Sequence, residues 1–271
     1  MAFAKVRDIN VHYEVQGGGL RLLYISGTGG DLRTRPSIFD GPLSQHFEVM
    51  AYDQRGLGQT DKPDVPYTMG DYAEDAAGLM DAVGWRTCMV VGVSFGGMVA
   101  QELAVRYRHR VERLVLCCTS SGGAGGASYP LHELLNLPVE EQARLRIPIT
   151  DTRKDSAWQA AHPEETQQLI DTAVAGAEAR RKDPAVERGY LRQLEARADH
   201  DTYARLGTLT MPVMLAGGRY DRQAAPENME TLRDLIPGSR LEFFEGGHGF
   251  LREDPRAIER VIAFLKSELR D

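Results

Sequence analysis

The stretch that decides the fold is Gly92-Val93-Ser94-Phe95-Gly96-Gly97. It follows the apolar run Cys-Met-Val-Val and precedes the helix-forming run Met-Val-Ala-Gln-Glu-Leu-Ala. A Gly-x-Ser-x-Gly between a strand and a helix predicts a nucleophile elbow, a turn so tight that the serine hydroxyl stands out at the end of the strand. Glycines two residues either side of Ser94 meet the steric demand of such a turn. The alternative is a glycine-rich turn with an incidental serine.

A serine hydroxyl is a poor nucleophile without a base, and His248 is the histidine whose position favours that role. It lies between glycines, after the last predicted strand and before the last predicted helix. Asp221 follows another predicted strand and is the candidate carboxylate that orients the base. The alternative for Asp221 is a cap for the helix that begins near Pro226.

Acyl transfer also needs two N–H donors for the oxyanion. The first is predicted to be the N–H of Phe95, the residue after the candidate nucleophile. The second is predicted in the loop Ser26–Gly30, with Thr28 as the first choice and Gly29 as the alternative. Gly27 and Gly29 are also candidate substrate contacts, as is Trp158, although a tryptophan there is more often buried packing. The loop could equally be a glycine turn that only reverses the chain.

Short apolar runs alternate with amphipathic stretches along most of the chain, which predicts parallel βα units. The predicted fold class is α/β, with a mostly parallel central sheet and helices on both faces. Strands are predicted over residues 3–6, 11–15, 21–25, 47–52, 89–93, 114–118, 213–216 and 241–244. The first two are expected to form an antiparallel hairpin at the edge. Helices are predicted over residues 71–83, 94–107, 226–235 and 255–269.

The alternation stops between about residues 120 and 206. Helical segments follow one another there without a strand-like run, over residues 131–137, 140–146, 164–179 and 184–198. Ligands of open α/β sheets bind beyond the carboxyl ends of the strands, so this insertion is predicted to be a helical cap over the site. We therefore expect a core of residues 1–119 and 207–271, with a cap of residues 120–206 inserted after the sixth strand.

The composition narrows the class of function. A net charge of −7 and the lack of a Lys/Arg cluster argue against nucleic acid as a partner. Neither a signal peptide nor a run of ~18 apolar residues is apparent, so we expect no membrane association and, by default, a cytoplasmic location. The cysteines, Cys88, Cys117 and Cys118, are interpreted as reduced core residues, and neither metal nor cofactor is expected. The sequence does not predict the oligomeric state.

The chain resembles the α/β-hydrolase superfamily along nearly its full length, most closely the group of 3-oxoadipate enol-lactonases, small carboxylesterases and C–C bond hydrolases. The segment Gly92–Gly97 and the chain order of Ser94, Asp221 and His248 carry the resemblance. The segment 52–63 is similar to the family's Asp-x-Arg-Gly-x-Gly-x-Ser turn.

Two details of the resemblance concern the loops around the candidate site. The family uses the Asp-x-Arg-Gly turn to brace the nucleophile loop, which implies a structural role for Asp53 and Arg55. The family's oxyanion loop often begins His-Gly, whereas here it reads Ser26-Gly27. That departure keeps the backbone donor but weakens a match to any one activity.

The resemblance implies a serine hydrolase that cleaves a carboxylic ester or lactone of a small molecule through an acyl-enzyme, without cofactor or metal. Ser94 argues against the dehalogenases and epoxide hydrolases of this fold, which use an aspartate nucleophile, whereas cofactor-free peroxidases share the serine triad. Two alternatives remain open. One is a hydrolase of C–C bonds in a diketone-type substrate, and the other is a ligand receptor built on a hydrolase scaffold.

Overall fold

The computed structural model describes residues 2–267, which form a single eight-stranded sheet with flanking helices. The sheet order is β1-β2-β4-β3-β5-β6-β7-β8. The strands are β1 (Ala2–Val6), β2 (Ile9–Gly17), β3 (Arg21–Ile25), β4 (Glu48–Tyr52), β5 (Cys88–Val93), β6 (Val111–Cys117), β7 (Val213–Gly218) and β8 (Arg240–Phe244). Strand β2 is antiparallel to β1 and to β4, and the other neighbours are parallel. The predicted fold class, including the edge hairpin, is confirmed.

The largest difference from the predicted strands is the length of β2. It runs for nine residues instead of the five predicted, because its two halves serve different neighbours. Ile9–Tyr13 pairs with β1, and Tyr13–Gly17 pairs with β4. The second half is partly exposed, so its apolar alternation is weak and the sequence pattern underestimates it.

The helices are α1 (Leu43–His46), α2 (Met69–Ala82), α3 (Phe95–Arg106), α4 (Val139–Thr150), α5 (Ser156–Ala161), α6 (Pro163–Arg181), α7 (Pro184–Ala198), α8 (Pro226–Leu235), α9 (Phe250–Glu253) and α10 (Pro255–Lys266). Helix α4 extends beyond the predicted 140–146 through Pro148, a residue that normally ends a helix. The segment 131–136 is a 3₁₀ helix. Leu269, the predicted end of the last helix, lies outside the described residues. Between residues 2 and 267, no helix is both long and apolar enough to span a membrane.

Each face of the sheet packs against its own set of helices. Successive side chains of a strand point to opposite faces, so Leu22 and Leu23 of β3 belong to different apolar clusters. One cluster includes side chains of α2, α3 and α8, and the other includes side chains of α1, α9 and α10. Because both faces are buried, β5 reads as a continuous apolar run without alternation.

Helices α4–α7 lie between β6 and β7 in the chain, where the cap is predicted. Helix α7 approaches the core so closely that a Cβ on Gly189 would lie only 1.8 Å from the Gly56 carbonyl oxygen. Leu57, which follows Gly56 in the loop after β4, belongs to an apolar cluster with Leu131, Leu134, Ile149, Tyr190 and Leu194. The helical insertion therefore packs directly on the loops that follow the strands, and the limits 120–206 stay a prediction.

Candidate active site

Ser94 lies in the turn between β5 and α3 with φ 55° and ψ −117°. A positive φ is unfavourable for a residue with a side chain, by about 1–3 kcal/mol. The adjacent glycines show how closely the backbone packs, since a Cβ on Gly92 would lie 2.4 Å from the Gly96 carbonyl oxygen. A Cβ on Gly96 would lie 2.1 Å from the Ile25 carbonyl oxygen. This strained turn presents the Ser94 hydroxyl at the carboxyl end of the sheet.

The three candidate catalytic residues form one hydrogen-bonded chain. Nε2 of His248 lies 2.9 Å from Oγ of Ser94, and its Nδ1 lies 2.7 Å from Oδ2 of Asp221. An aspartate only accepts hydrogen bonds, so Nδ1 carries the proton and Nε2 offers a lone pair to the serine hydroxyl. This arrangement suits an imidazole that takes a proton from a serine as the oxygen attacks a carbonyl carbon.

The Asp221 carboxylate is buried and held in one orientation. Its Oδ1 accepts hydrogen bonds from the N–H groups of Gln223 at 2.8 Å and Ala224 at 2.9 Å. Its Oδ2 is therefore the oxygen that faces the imidazole. These hydrogen bonds do not cap α8, the alternative role predicted for Asp221. That helix begins at Pro226, and its N-cap is Ala225, which makes no side-chain cap bond.

The His248 loop is anchored by the end of α4, which sequence reasoning missed. The His248 N–H donates to the Thr150 carbonyl oxygen at 2.7 Å, and the Arg222 N–H donates to the Ile149 carbonyl oxygen at 3.1 Å. Gly247 is needed for this approach, since a Cβ there would lie 2.2 Å from the Thr150 oxygen. These two hydrogen bonds join residues 98 and 73 positions apart in the chain, so no local pattern could have revealed them.

The candidate oxyanion donors lie beside Ser94. A Cβ on Gly27 would be 3.5 Å from the Ser94 Cβ, so this loop borders the nucleophile. Phe95 begins α3, and the N–H of a first helical residue has no acceptor within the helix. Among the described residues, the Thr28 N–H donates no hydrogen bond and its buried Oγ1 has no partner. Both backbone groups remain available for a developing negative charge.

The alternative donor, Gly29, is engaged elsewhere. Its N–H donates to the Gln193 side-chain oxygen of α7 at 2.8 Å. A Cβ on Gly29 would lie 3.5 Å from the Tyr190 ring. These contacts favour Thr28 over Gly29 as the second oxyanion donor and make Gly29 a contact between the loop and the helical insertion.

Gln223 is a further residue of the site that sequence reasoning missed. Its side-chain amide nitrogen lies 2.7 Å from Nε2 of His248. The same ring nitrogen faces the Ser94 hydroxyl, so two donors share one lone pair. Its place two residues after Asp221 is the one signal in the sequence that could have drawn attention to it.

The turn after β4 supports the oxyanion loop. The buried Asp53 carboxylate accepts hydrogen bonds from the Leu32 N–H at 2.7 Å and the Gln59 N–H at 2.9 Å. Gln54 donates to the Ser26 carbonyl oxygen at 2.8 Å. The structural role that the resemblance implies for Asp53 and Arg55 is therefore not exercised on the nucleophile loop itself, since no hydrogen bond within residues 2–267 links either side chain to residues 92–97. The turn supports the loop after β3 instead, because β4, which precedes the turn, pairs with β3.

Arg55 holds the turn after β4 in place through two ion pairs. Its guanidinium forms a buried pair with Asp75 of α2 at 2.7 Å and reaches Asp8 at 2.8 Å. Hydrogen bonds from Arg55 lower the pKa of Asp8 to about 2. The turn is thereby tied to α2 and to the β1–β2 hairpin.

Trp158, a predicted substrate contact, lies in α5. Its ring stacks on His162 at a centroid distance of 4.5 Å, and the Lys154 ammonium lies 5.2 Å from it. None of the ring contacts or hydrogen bonds recorded for residues 2–267 joins Trp158 to Ser94 or His248. The structure does not bring it together with the other candidates.

Cys118 follows β6 and lies against the acid and the base. Its Sγ is within 4.8 Å of the metal-ligand atoms of Asp221 and His248. Burial raises the pKa of the Cys118 thiol well above its usual value, and the nearby Asp221 charge adds to this. A protonated thiol is a poor metal ligand, so we interpret Cys118 as packing around the Asp221 carboxylate.

The chain is similar to known hydrolases in sequence and in fold. The chain is 27% identical to the poly(3-hydroxyalkanoate) depolymerase of Ectopseudomonas oleovorans, over 91% of this chain and 84% of the relative. It is 25% identical to 3-oxoadipate enol-lactonase 2 of Acinetobacter baylyi, over 94% and 92%. The crystal structure of the enol-lactonase from Burkholderia xenovorans LB400 superposes with a TM-score of 0.77 at 24% identity, over 98% of this chain and 100% of that one. The family model for the alpha/beta hydrolase fold matches residues 21–255, and the chain therefore belongs to the α/β-hydrolase family.

Proposed function

We propose that this chain is a serine hydrolase that cleaves a carboxylic ester or lactone of a small molecule. The observation that carries the proposal is the hydrogen-bonded chain from Ser94 through His248 to Asp221, built on a strained elbow. A strained serine backbone is retained where the surrounding structure enforces it, and such strain clusters at active sites. The similarity to an enol-lactonase and to a depolymerase supports an ester or lactone as the bond that is cleaved.

The acylation step follows from the positions of these side chains. Oγ of Ser94 attacks the carbonyl carbon while Nε2 of His248 accepts its proton, and the carbonyl π pair moves onto oxygen. The N–H groups of Phe95 and Thr28 donate to this oxyanion, and Asp221 stabilises the imidazolium. When the oxyanion collapses, the bond to the alcohol oxygen breaks, and the imidazolium returns its proton to that oxygen.

Deacylation repeats the sequence with water as the nucleophile. His248 accepts a proton from the water as its oxygen attacks the acyl-enzyme carbonyl. Collapse of the second oxyanion breaks the bond to Ser94, which regains its proton from His248. A lactone differs only in that the leaving alcohol stays attached to the acyl group, so one hydroxy acid is released.

The test compares the wild type with Ser94→Ala and His248→Ala, with Ser239→Ala as a serine control remote from the triad. Hydrolysis of p-nitrophenyl acetate and p-nitrophenyl butyrate is followed with a fluorophosphonate label as a second readout. We expect turnover and labelling in the wild type and in Ser239→Ala, and loss of both in the other two variants. Absence of labelling in the folded wild type would reject Ser94 as nucleophile. Labelling without turnover of any ester or lactone would reject the proposed bond while keeping the nucleophile.

A further inference from the structure

A cavity of about 60 Å³ lies between the helical insertion and the core. Met98 of α3, Ser120 after β6 and Arg197 of α7 line it, together with Ser128 and His200. A water-sized atom needs roughly 15 Å³ of such volume, so the cavity has room for about four. That is the size of a carboxylate with one further carbon.

Arg197 is a buried cation without a protein counter-charge in the described part of the chain. It is 6% exposed, and one of its nitrogens, Nη1, donates to the Tyr129 carbonyl oxygen at 2.8 Å. Its Nε and Nη2 are buried and have no hydrogen-bond partner. No carboxylate of residues 2–267 lies within 4.0 Å of its guanidinium, although 22 arginine–carboxylate pairs occur elsewhere in that range. Burial lowers the pKa of Arg197 to about 10, so it remains charged at neutral pH.

The two unpartnered nitrogens form the edge of the guanidinium that binds a carboxylate side-on. This chain uses that edge repeatedly. Arg55 donates from Nε and Nη2 to Asp75 at 2.7 and 2.8 Å. Arg256 donates from the same two atoms to Asp254 at 2.9 and 2.6 Å. The same edge of Arg197 is buried, and no side chain of the described residues accepts a hydrogen bond from it.

Arg197 is the only Arg, Lys, Asp or Glu among the described residues that line the cavity, whose other polar side chains are Ser120, Ser128, His132 and His200. The hydroxyls of Ser120 and Ser128 lie 2.9 Å apart, and since one bond uses only one of their two hydrogens, one hydroxyl can still donate. Burial lowers the pKa of His200 to about 4, so that ring is neutral at pH 7. We propose that this cavity binds a carboxylate group through the Nε and Nη2 edge of Arg197.

Tyr129 connects this cavity to the candidate active site. Its carbonyl oxygen accepts from Arg197, and its N–H donates to the Gln223 carbonyl oxygen at 2.8 Å. The Gln223 side chain in turn contacts His248. The carboxylate could therefore be one end of the molecule that reaches Ser94, or it could belong to a separate small acid bound beside it.

The binding test does not depend on any catalytic activity. Isothermal titration calorimetry at pH 7 and constant ionic strength measures sodium acetate, sodium propionate and uncharged acetamide against the full chain. We expect a single saturable site for the acids, about ten- to a hundredfold weaker in Arg197→Met, because charge-assisted hydrogen bonds are lost. Arg192→Met is the matched control, since this arginine is on the same helix but is more exposed and pairs with Glu195. It should bind acetate as the wild type does.

Three results would overturn the proposal: no saturable acetate binding, equal affinity in Arg197→Met, or acetamide binding as tightly as acetate. Thermal unfolding checks each variant, and if Arg197→Met does not fold, Arg197→Lys replaces it. That variant keeps the charge but lacks the two-nitrogen edge, so it must also weaken acetate binding. The effect of acetate on p-nitrophenyl butyrate hydrolysis shows whether the carboxylate belongs to the substrate or to a separate small acid. Competitive inhibition supports the carboxylate as part of the substrate, and an unchanged KM supports a separate acid.

Discussion

The replacement Asp221→Asn tests the orientation of the candidate base most directly. Oδ1 of Asp221 accepts two backbone N–H bonds, at 2.8 and 2.9 Å, so the oxygen of an asparagine amide must stay at that position. The NH₂ group is then forced toward Nδ1 of His248, 2.7 Å away in the wild type. A donor there requires Nδ1 to be the acceptor, so the proton moves to Nε2. A protonated Nε2 cannot accept the proton of Ser94.

The expected magnitude follows from this tautomer. A base held in the wrong tautomer costs about 10⁴-fold in kcat, or about 5 kcal/mol of activation free energy. The variant keeps the size of the side chain and both backbone hydrogen bonds, so we expect its stability to change far less than its rate. The readouts are the rate of fluorophosphonate labelling of Ser94, the hydrolysis of p-nitrophenyl butyrate and the urea unfolding curve.

Asp254→Asn is the matched control for that experiment. Asp254 is also a buried loop aspartate, and its two oxygens accept the N–H groups of Glu245 and Arg256, each at 3.0 Å. It caps α10 and does not contact the imidazole. Because both oxygens accept N–H groups, the asparagine NH₂ faces one of these donors, so we expect a loss of about 1–3 kcal/mol of stability and an unchanged labelling rate. Our assignment of the acid would be refuted by an Asp221→Asn enzyme within tenfold of the wild type, or by an equal loss of rate in Asp254→Asn.

Three further predictions concern single side chains. In Gly96→Ala the new Cβ lies 2.1 Å from a backbone oxygen, so we expect the variant to lose labelling and about 1–3 kcal/mol of stability. Gly176 on α6 faces open space, so Gly176→Ala should instead gain about 0.5–1 kcal/mol of stability, as measured by urea unfolding. Burial lowers the pKa of His200 to about 4 from 6.5, so the unfolded chain binds more protons between those values and stability falls as the pH is lowered. Between pH 7 and pH 5 this loss is about 2 kcal/mol, and urea unfolding of His200→Gln should lack it. Gln223→Leu leaves the Nε2 lone pair to Ser94 alone, so labelling should become faster, and a slower rate would contradict the competition we infer.

The sequence was sufficient to bring Ser94, Asp221 and His248 together. Each follows a predicted parallel strand, and the carboxyl ends of parallel strands meet at one edge of the sheet. Glycines beside Ser94 and His248 marked the two tight loops, because only backbone that must approach other backbone requires them. Chain order and strand ends therefore carried the prediction, without any knowledge of side-chain packing.

The contacts from the helical insertion could not be predicted in the same way. Gln193 bonds to the loop Ser26–Gly30 from 164 residues away, and Arg197 lies buried on the same helix. A helical pattern shows that a stretch is a helix, but the partner of each face depends on how four helices pack over the sheet. Trp158 as a substrate contact stays a prediction, and the ring neighbours found for it, His162 and Lys154, flank its own short helix.

These contacts change how the helical insertion should be regarded. The Thr150 carbonyl holds the His248 backbone, and the Gln193 side chain holds the oxyanion loop at Gly29. The candidate base and the loop of the candidate oxyanion donor Thr28 are thus held by hydrogen bonds that cross from the insertion to the core. A movement of the insertion large enough to admit a substrate would break these hydrogen bonds. The insertion therefore cannot be open while His248 and the loop Ser26–Gly30 are held in place. Changes in α4 or α7 should accordingly alter the rate of acylation as well as the choice of substrate.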